Sequence, residues 1–221
     1  MSDVPPPPPP PPPGASPAPS GADAGSALSY GFKKFQASAG VLIIAMIIPI
    51  VASIAVSLVG GAIFKGSIGG AIVQILAWVA STMGAIGVWR VALMITAGET
   101  PDLGRAYQYD RWGEWLAFSF VFGVIVAVGF FLCIIPGLLA MAFLGLAPLY
   151  FIDGRRSVGE ALTASREAAS ARRLALPVFL VTIVGPLGIL LCFVGVFVTM
   201  PVSYVGLAFL YRNAIGQSVA Q

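Results

Sequence analysis

Two stretches of 38 residues without a charged side chain constrain most strongly what this chain can fold into. They cover 115–152 and 174–211. About 20 helical residues cross a hydrocarbon core about 30 Å thick, so each stretch is too long for one span and has the length of a two-helix hairpin. Shorter uncharged stretches at 41–64 and 68–88 form another pair, with Lys65 at the turn between them. The sequence therefore predicts an all-α membrane protein with six transmembrane helices arranged as three hairpins.

Turn signals divide the two long stretches. Pro136-Gly137 is a turn dipeptide, so it predicts a third span ending at Ile135 and a fourth over 138–152. The last stretch is most simply folded in two near Gly195. The fourth span would rise only about 22 Å, which is less than the thickness of a hydrocarbon core. It would either cross locally thinned lipid or form one arm of a re-entrant hairpin.

The composition excludes a soluble domain and narrows the chemistry. Apolar residues make up 58% of the chain and charged residues 10%, whereas soluble domains carry about 25% charged residues. The chain has no His and only two cysteines, which excludes most metal sites and the usual catalytic triads. We therefore expect no catalytic, cofactor-binding or metal-binding residues. Cys133 and Cys192 lie near the outer ends of predicted spans and either pair as a disulfide or pack as single residues.

The distribution of charge predicts the orientation in the membrane. In the six-span arrangement, all 12 Lys and Arg residues except Lys65 lie on one side, together with all nine carboxylates. The positive-inside rule makes that side cytoplasmic and places both termini there. No ionisable residue lies within a span, which argues against ion-coupled transport and intramembrane catalysis. We expect a multi-pass protein of the bacterial plasma (inner) membrane, and the net charge of +3 does not indicate a nucleic-acid partner.

The first 26 residues differ from the rest of the chain. Residues 5–13 are nine consecutive prolines, which favour polyproline II structure and cannot form a packed core. We predict a disordered proline-rich cytoplasmic tail over 1–26, a six-span membrane domain over 27–215 and a short C-terminal tail over 216–221. The proline run is either a ligand for a cytosolic proline-binding partner or a spacer.

A short pattern recurs before each predicted hairpin. It consists of a capping residue, an apolar residue, Gly, any residue, Ala and a large apolar residue, and it starts at Asp23, Asp102 and Ser157. Asp and Ser accept the free N–H groups of a helix start, and Ser157 with Glu160 fits a capping box. The pattern predicts three parallel repeats, each an amphipathic cytoplasmic helix followed by a hairpin. The alternative is chance similarity in a sequence rich in Ala, Gly and Leu.

The longest of these amphipathic helices is predicted over 158–173. One face of it would carry Val158, Ala161, Leu162, Ser165, Ala168 and Ala169. Such a helix lies on the bilayer surface, with its basic residues near anionic headgroups. Arg166, Arg172 and Arg173 are therefore candidate lipid-headgroup contacts. The alternative role for these arginines is ordinary positive-inside anchoring.

Several short motifs have an order and spacing similar to those of a known family. They are Ser29-Tyr30-Gly31-Phe32-Lys33-Lys34-Phe35, Gly98-Glu99-Thr100-Pro101, Ile135-Pro136-Gly137, Phe151-Ile152-Asp153-Gly154, and Glu160-Ala161-Leu162 with Ser165. Over residues 27–215 the chain resembles an uncharacterised prokaryotic six-span superfamily. That superfamily includes the membrane domain of some glycerophosphoryl diester phosphodiesterases. The proline-rich tail is similar to that of stand-alone actinobacterial members.

The resemblance implies a fold and a membrane location, and little about mechanism. It singles out a set of structural motif residues: Pro136, Gly137, Asp153, Gly154, Ser157, Glu160 and Ser165. The aromatic residue often found after the Ser of the last motif is Arg166 here. No phosphodiesterase domain accompanies the motifs in this sequence, so the resemblance implies no hydrolase activity.

Two functional hypotheses follow. The first is a non-enzymatic scaffold or accessory subunit of an inner-membrane assembly, which the charge-free spans and the reachable tail favour. Two small-x-x-x-small pairs, Ala80-x-x-x-Gly84 and Gly123-x-x-x-Ala127, would let helices approach closely. The alternative is a carrier or binder of lipids or other hydrophobic small molecules, which the prolines within the spans and the amphipathic helices favour. Its partners would be the lipid bilayer and, for the scaffold, other membrane proteins.

Overall fold

The computed structural model describes residues 23–188 and 195–220, and every regular element in those ranges is a helix. The helices are α1 Ala24–Ile63, α2 Gly66–Ala97, α3 Leu103–Tyr107, α4 Trp112–Leu132, α5 Ile134–Leu144, α6 Ala147–Ile152, α7 Val158–Ala171, α8 Ala175–Leu187 and α9 Val196–Ala214. The proline run and Cys192 lie outside the described residues. The tail prediction and the disulfide question therefore stay predictions.

Four helical segments of the described chain are long and apolar enough to cross a membrane. They are α1, α2, α4 and the segment Ile134–Ile152 that α5 and α6 form together. A fifth is obtained if α7 and α8, which meet at an angle of 114°, are counted as one broken span. α9 is not among these segments, because Arg212 and Asn213 in its last turn lower its mean hydropathy. The prediction of an all-helical chain is confirmed for the described residues, and four or five of their segments have the length and hydropathy of a membrane span.

The turn between α4 and α5 differs from the prediction. It falls at Cys133, whose backbone is extended (φ −173°, ψ 155°), and not at Pro136-Gly137. Pro136 and Gly137 both lie in the first turn of α5. The N–H groups of a first turn have no acceptor within the helix, so a proline there removes no helical hydrogen bond. The dipeptide therefore starts a helix. The fourth segment has 19 residues, about 28 Å of helix, and is long enough to cross.

The three predicted helix starts are confirmed. Asp23, Asp102 and Ser157 are the N-caps of α1, α3 and α7, and the side chain of each accepts a hydrogen bond from a backbone N–H of its own first turn. The capping box is complete, because the Glu160 carboxylate also accepts from the Ser157 N–H at 2.9 Å. α1 begins at Ala24, so the last three residues assigned to the predicted tail, 24–26, belong to this helix.

A break inside α1 separates a part that is buried along one face from a long apolar part. Ser38 has non-helical dihedrals (φ −132°, ψ 25°), so 24–37 and 39–63 are two consecutive helical pieces. The first piece buries three residues at four-residue spacing: Ala27, Gly31 and Phe35. Those residues face α9, where a Cβ on Gly31 would lie 3.3 Å from the Gly206 nitrogen. At the position of the first predicted amphipathic helix the structure therefore has a helical piece buried on one face, which continues directly into the apolar piece 39–63.

The packed core lies toward one end of the bundle. The second half of α2, the segment 146–152 and most of α9 are buried, whereas the adjoining ends of α1 and α2 expose large apolar side chains. Segments 98–111 and 153–157 meet at the packed end, where Arg155 pairs with Asp110 at 2.5 Å. We call this the polar end. Lys65 lies at the opposite end of α2, whose 32 residues extend about 48 Å.

Replacing Ser157 by alanine should lower the free energy of unfolding by about 1 kcal/mol, because the first turn of α7 loses its cap. Thermal unfolding followed by circular dichroism in detergent measures this change. The matched control is Ser170→Ala, an exposed residue in the last turn of the same helix, which should change the free energy by less than about 0.5 kcal/mol. Equal effects of the two substitutions would show that the cap does not stabilise α7.

Candidate functional site

A polar cavity of about 350 Å³ opens at the polar end, between the last turns of α2, α6 and α9 and the segment 99–110. Its lining residues are Arg90, Leu93, Met94, Ala97, Glu99, Arg105, Gln108, Tyr109, Asp110, Ile152, Asp153, Arg155 and Arg212. Ligand sites commonly have volumes of about 300–1,000 Å³, and this cavity lies at the lower end of that range. Four arginines in one small cavity are the feature that most needs a chemical explanation.

One wall is a single face of α2. Arg90 precedes Leu93, Met94 and Ala97 by three, four and seven residues, so all four lie on one side of the helix. The half-buried guanidinium of Arg90 donates hydrogen bonds to the carbonyl oxygens of Ala106, at 3.0 Å, and Gln108. It also lies 5.7 Å from the centroid of the Tyr109 ring. Arg90 therefore ties α2 to the segment that follows it.

Arg212 of α9 also lines the cavity, beside the end of α2, and is bonded to neutral oxygens. Its Nε donates to Thr96 Oγ1 at 2.9 Å, one Nη to the Leu93 carbonyl at 3.3 Å, and the other Nη to Gln217 Oε1 at 2.7 Å. Across the described ranges, neither Arg90 nor Arg212 has a carboxylate within 4 Å. Both arginines are half-buried as whole residues.

The carboxylates of the cavity are engaged elsewhere. Glu99 pairs with Arg105 at 3.1 Å and Asp110 with Arg155 at 2.5 Å, and both pairs are exposed at the mouth. The hydrogen bond from Arg155 holds the pKa of Asp110 below its usual value, so this carboxylate stays ionised. Asp153 accepts a hydrogen bond from the Tyr211 hydroxyl at 2.9 Å. Each of these acids therefore already has a donor.

Tyr109 contributes an unpartnered hydroxyl. Its oxygen is buried and has no hydrogen-bond partner in the part of the chain that the structure describes. Its ring packs edge-on against Trp112, with centroids 5.8 Å apart. Burial raises the pKa of Tyr109, so the hydroxyl keeps its proton. Buried polar groups nearly always have a partner, so this hydroxyl, on a residue that lines the cavity, is a donor that the described residues leave unused.

The residues that the resemblance singled out are spread over several roles. Asp153 lies in the cavity, and Ser157 with Glu160 caps α7. Ser165 is fully buried and donates to the Phe143 carbonyl at 2.9 Å, which joins α7 to the last turns of α5.

The glycines of the set mark close contacts of the backbone. A Cβ on Gly137 would lie 2.5 Å from the Phe130 ring of α4, directly after Pro136 in the first turn of α5. A Cβ on Gly154 would lie 2.7 Å from the Tyr150 carbonyl oxygen. Of this set of motif residues, the structure therefore brings only Asp153 to the cavity.

The candidate headgroup arginines of α7 do not line the cavity. Arg166 and Arg173 are exposed, and Arg172 donates to the Asn213 carbonyl at 2.9 Å, at the end of α9. The arginines that do meet there were not singled out by sequence reasoning: Arg90, Arg105, Arg155 and Arg212. The available signal was that the predicted topology places all four on the same side of the membrane, but that placement alone does not show which residues converge.

No family model, curated protein or solved structure matched this chain. The resemblance to the six-span superfamily therefore rests on its motifs and stays a prediction. Within the described ranges, no three His, Cys, Asp or Glu side chains are grouped so that they could hold a metal ion. The cavity geometry is thus the basis for any functional proposal.

Proposed function

We propose that this chain is a non-enzymatic, multi-pass protein of the bacterial inner membrane, with six spans and both termini in the cytoplasm. The meeting of the basic segments at one end supports this orientation, because the positive-inside rule assigns such an end to the cytoplasm. The Tyr30 hydroxyl donates to the Ala220 carbonyl at 2.9 Å, so the start of α1 and the C-terminal segment lie together. The third hairpin would consist of α8 and α9.

The function that the site supports best is binding of a lipid or another amphiphile, with its polar end in the cavity. The observation that carries this proposal is the combination of four arginines with apolar side chains in one cavity at the ends of membrane-crossing helices. Headgroups lie at that depth, and basic side chains near helix ends interact with them. Leu93, Met94 and Ile152 provide an apolar part of the lining for the adjoining portion of the ligand.

Filling the cavity should remove the bound lipid. Ala97 is exposed, lines the cavity and is the last residue of α2, so Ala97→Trp would place an indole there. Mass spectrometry of lipids extracted from purified protein should show one lipid class enriched over the bulk membrane in the wild type. That enrichment should fall at least about tenfold in Ala97→Trp. A tenfold loss corresponds to about 1.4 kcal/mol of binding free energy, and a cavity filled by the indole should lose more than that for the lipid.

The matched control for this experiment is Ala171→Trp. Ala171 is the exposed last residue of α7, lies outside the cavity and should tolerate the same indole with the enrichment unchanged. A wild-type lipid profile equal to that of the bulk membrane would refute specific lipid binding.

The scaffold or accessory-subunit function remains a second candidate, which one observation on α4 favours. Gly123 and Ala127 are exposed, and a Cβ on Gly123 would meet nothing within 4 Å. Small residues on a lipid-facing surface allow another membrane helix to approach closely. Affinity purification from detergent, with and without residues 1–26, tests this candidate and the proposed cytosolic partner of residues 5–13. Repeated recovery of the protein alone would count against both.

A further inference from the structure

We propose that the cavity is a site for a phosphate ester, held between the guanidiniums of Arg90 and Arg212 and hydrogen-bonded by the Tyr109 hydroxyl. This inference rests on the proposed function, since it names the chemical group at the polar end of the ligand. A phospholipid headgroup and a free phosphate compound share this group, and the experiment below separates them.

The cavity lining has an excess of positive charge once its ion pairs are subtracted. The lining has four arginines against three carboxylates. Two of the arginines, Arg105 and Arg155, are paired with acids at the mouth. That leaves two guanidiniums and the carboxylate of Asp153, which accepts from the Tyr211 hydroxyl. Neither guanidinium has a carboxylate within 4 Å among the described residues, and Asp110 acts on Arg90 only from a greater distance. A bound anion would supply a closer counter-charge.

The available donors suit a tetrahedral oxyanion. An arginine has five N–H donors in a planar fork that matches phosphate oxygens. Arg90 uses a single Nη for its two carbonyl bonds, so its other donors are open among the described residues. The protonated Tyr109 hydroxyl adds a neutral donor that no described residue uses. A metal cation would need carboxylate ligands, and the three carboxylates of the lining already accept hydrogen bonds or form ion pairs. The lining therefore favours an anion.

The size of the cavity favours an ester over a bare ion. Its volume of about 350 Å³ is well above the roughly 30 Å³ that one water molecule occupies in the liquid, so it has room for a phosphate and an attached group. The apolar side chains beside the arginines would contact that attached group.

Thermal unfolding of the full-length protein in a non-ionic detergent tests the site with inorganic phosphate as the first probe. Phosphate should raise Tm saturably, whereas chloride at equal ionic strength should not, because a ligand that binds only the folded state stabilises it by mass action. The second probe is reconstitution into nanodiscs of phosphatidylglycerol or of a neutral glycolipid that contains no phosphate. A Tm increase with phosphate alone supports a soluble phosphate compound, and an increase only in phosphatidylglycerol supports a lipid headgroup.

The key variant is Tyr109→Phe, because it removes only a hydroxyl that has no partner in the described chain. Its Tm without ligand should equal or exceed that of the wild type, while the dissociation constant for the phosphate probe should rise about five- to tenfold. Arg212→Lys keeps the charge but loses the fork and should weaken binding by a similar or larger factor. Lys33→Gln, which removes an exposed positive charge outside the cavity, is the control and should leave the dissociation constant unchanged.

Two results would overturn the phosphate site. One is the absence of a Tm increase with both phosphate and phosphatidylglycerol. The other is an increase that persists undiminished in Tyr109→Phe and Arg212→Lys. If a lipid without phosphate is instead retained and is lost in Ala97→Trp, the phosphate inference fails while the proposed lipid binding stands. If the extracted lipids match the bulk membrane while phosphate binding is weakened by Tyr109→Phe, the phosphate site stands and the proposed lipid binding fails.

Discussion

A cysteine introduced by Arg166→Cys should react with a membrane-impermeant maleimide only from the cytoplasmic side, and one introduced by Lys65→Cys only from the periplasmic side. Both residues are exposed, and the native cysteines are removed as Cys133→Ser and Cys192→Ser. Three spans separate the two positions in the six-span arrangement, so the chain must change sides between them. The neighbouring Ser165 is unsuitable for labelling, because it is fully buried.

The difference between the two positions should be all-or-none, since a charged maleimide does not cross the hydrocarbon core. Labelling of intact spheroplasts and of permeabilised cells, read as a mass shift on a gel, measures it. A variant in which only Cys192 is replaced keeps the native Cys133, which is exposed. If α4 and the segment that begins with α5 both cross the membrane completely, Cys133 should be labelled only from the periplasmic side, like the cysteine of Lys65→Cys. Same-side labelling of Arg166→Cys and Lys65→Cys would refute the six-span topology.

The same substitution at two glycines should change stability in opposite directions. Gly84→Ala should lower the free energy of unfolding by about 1–3 kcal/mol, because its Cβ would lie 2.6 Å from the Cα and Cβ of Pro49 on α1. A proline ring and its backbone cannot rotate away from the contact. The two helices would have to separate where they cross, and the hydrogen bond from the Tyr107 hydroxyl to the Gly84 carbonyl, 3.0 Å long, would be strained.

Gly123→Ala is the matched control, because both glycines belong to predicted small-x-x-x-small pairs. A Cβ on Gly123 meets nothing within 4 Å, and alanine restricts the unfolded backbone, so stability should rise by up to about 1 kcal/mol. Unfolding in mixed SDS and dodecyl maltoside micelles measures both variants. Equal changes in the two variants would mean that α1 and α2 do not approach at Gly84 as described.

The sequence patterns were most accurate where the physics is local. Asp23, Asp102 and Ser157 begin helices as predicted, because a cap acts on the N–H groups of its own first turn. The pattern was wrong at Pro136-Gly137, since a proline breaks a helix in its interior and is accommodated in its first turn. Which case applies depends on where the preceding helix ends, and that end is at Cys133.

The cavity could not be found from the sequence. Arg90 and Arg212 are separated by 122 positions, and only the packing of α9 on the end of α2 places both beside one cavity. The unpartnered hydroxyl of Tyr109 is equally a property of packing, because any sequence reading would assume that a tyrosine near a loop has a partner. No spacing rule connects residues that belong to different helices.

The sequence by itself determined that this is a helical protein with segments long and apolar enough to cross a membrane and with basic connecting segments. The length of an apolar segment decides whether it can cross a bilayer, and a cap acts on neighbouring backbone groups. Both can therefore be recognised from consecutive residues. Only the tertiary structure decided which basic residues converge, which glycine of the two small-residue pairs is buried in a helix contact, and which polar atoms lack a partner. Those outcomes depend on the relative placement of helices, and that placement is set by side-chain packing between segments far apart in sequence.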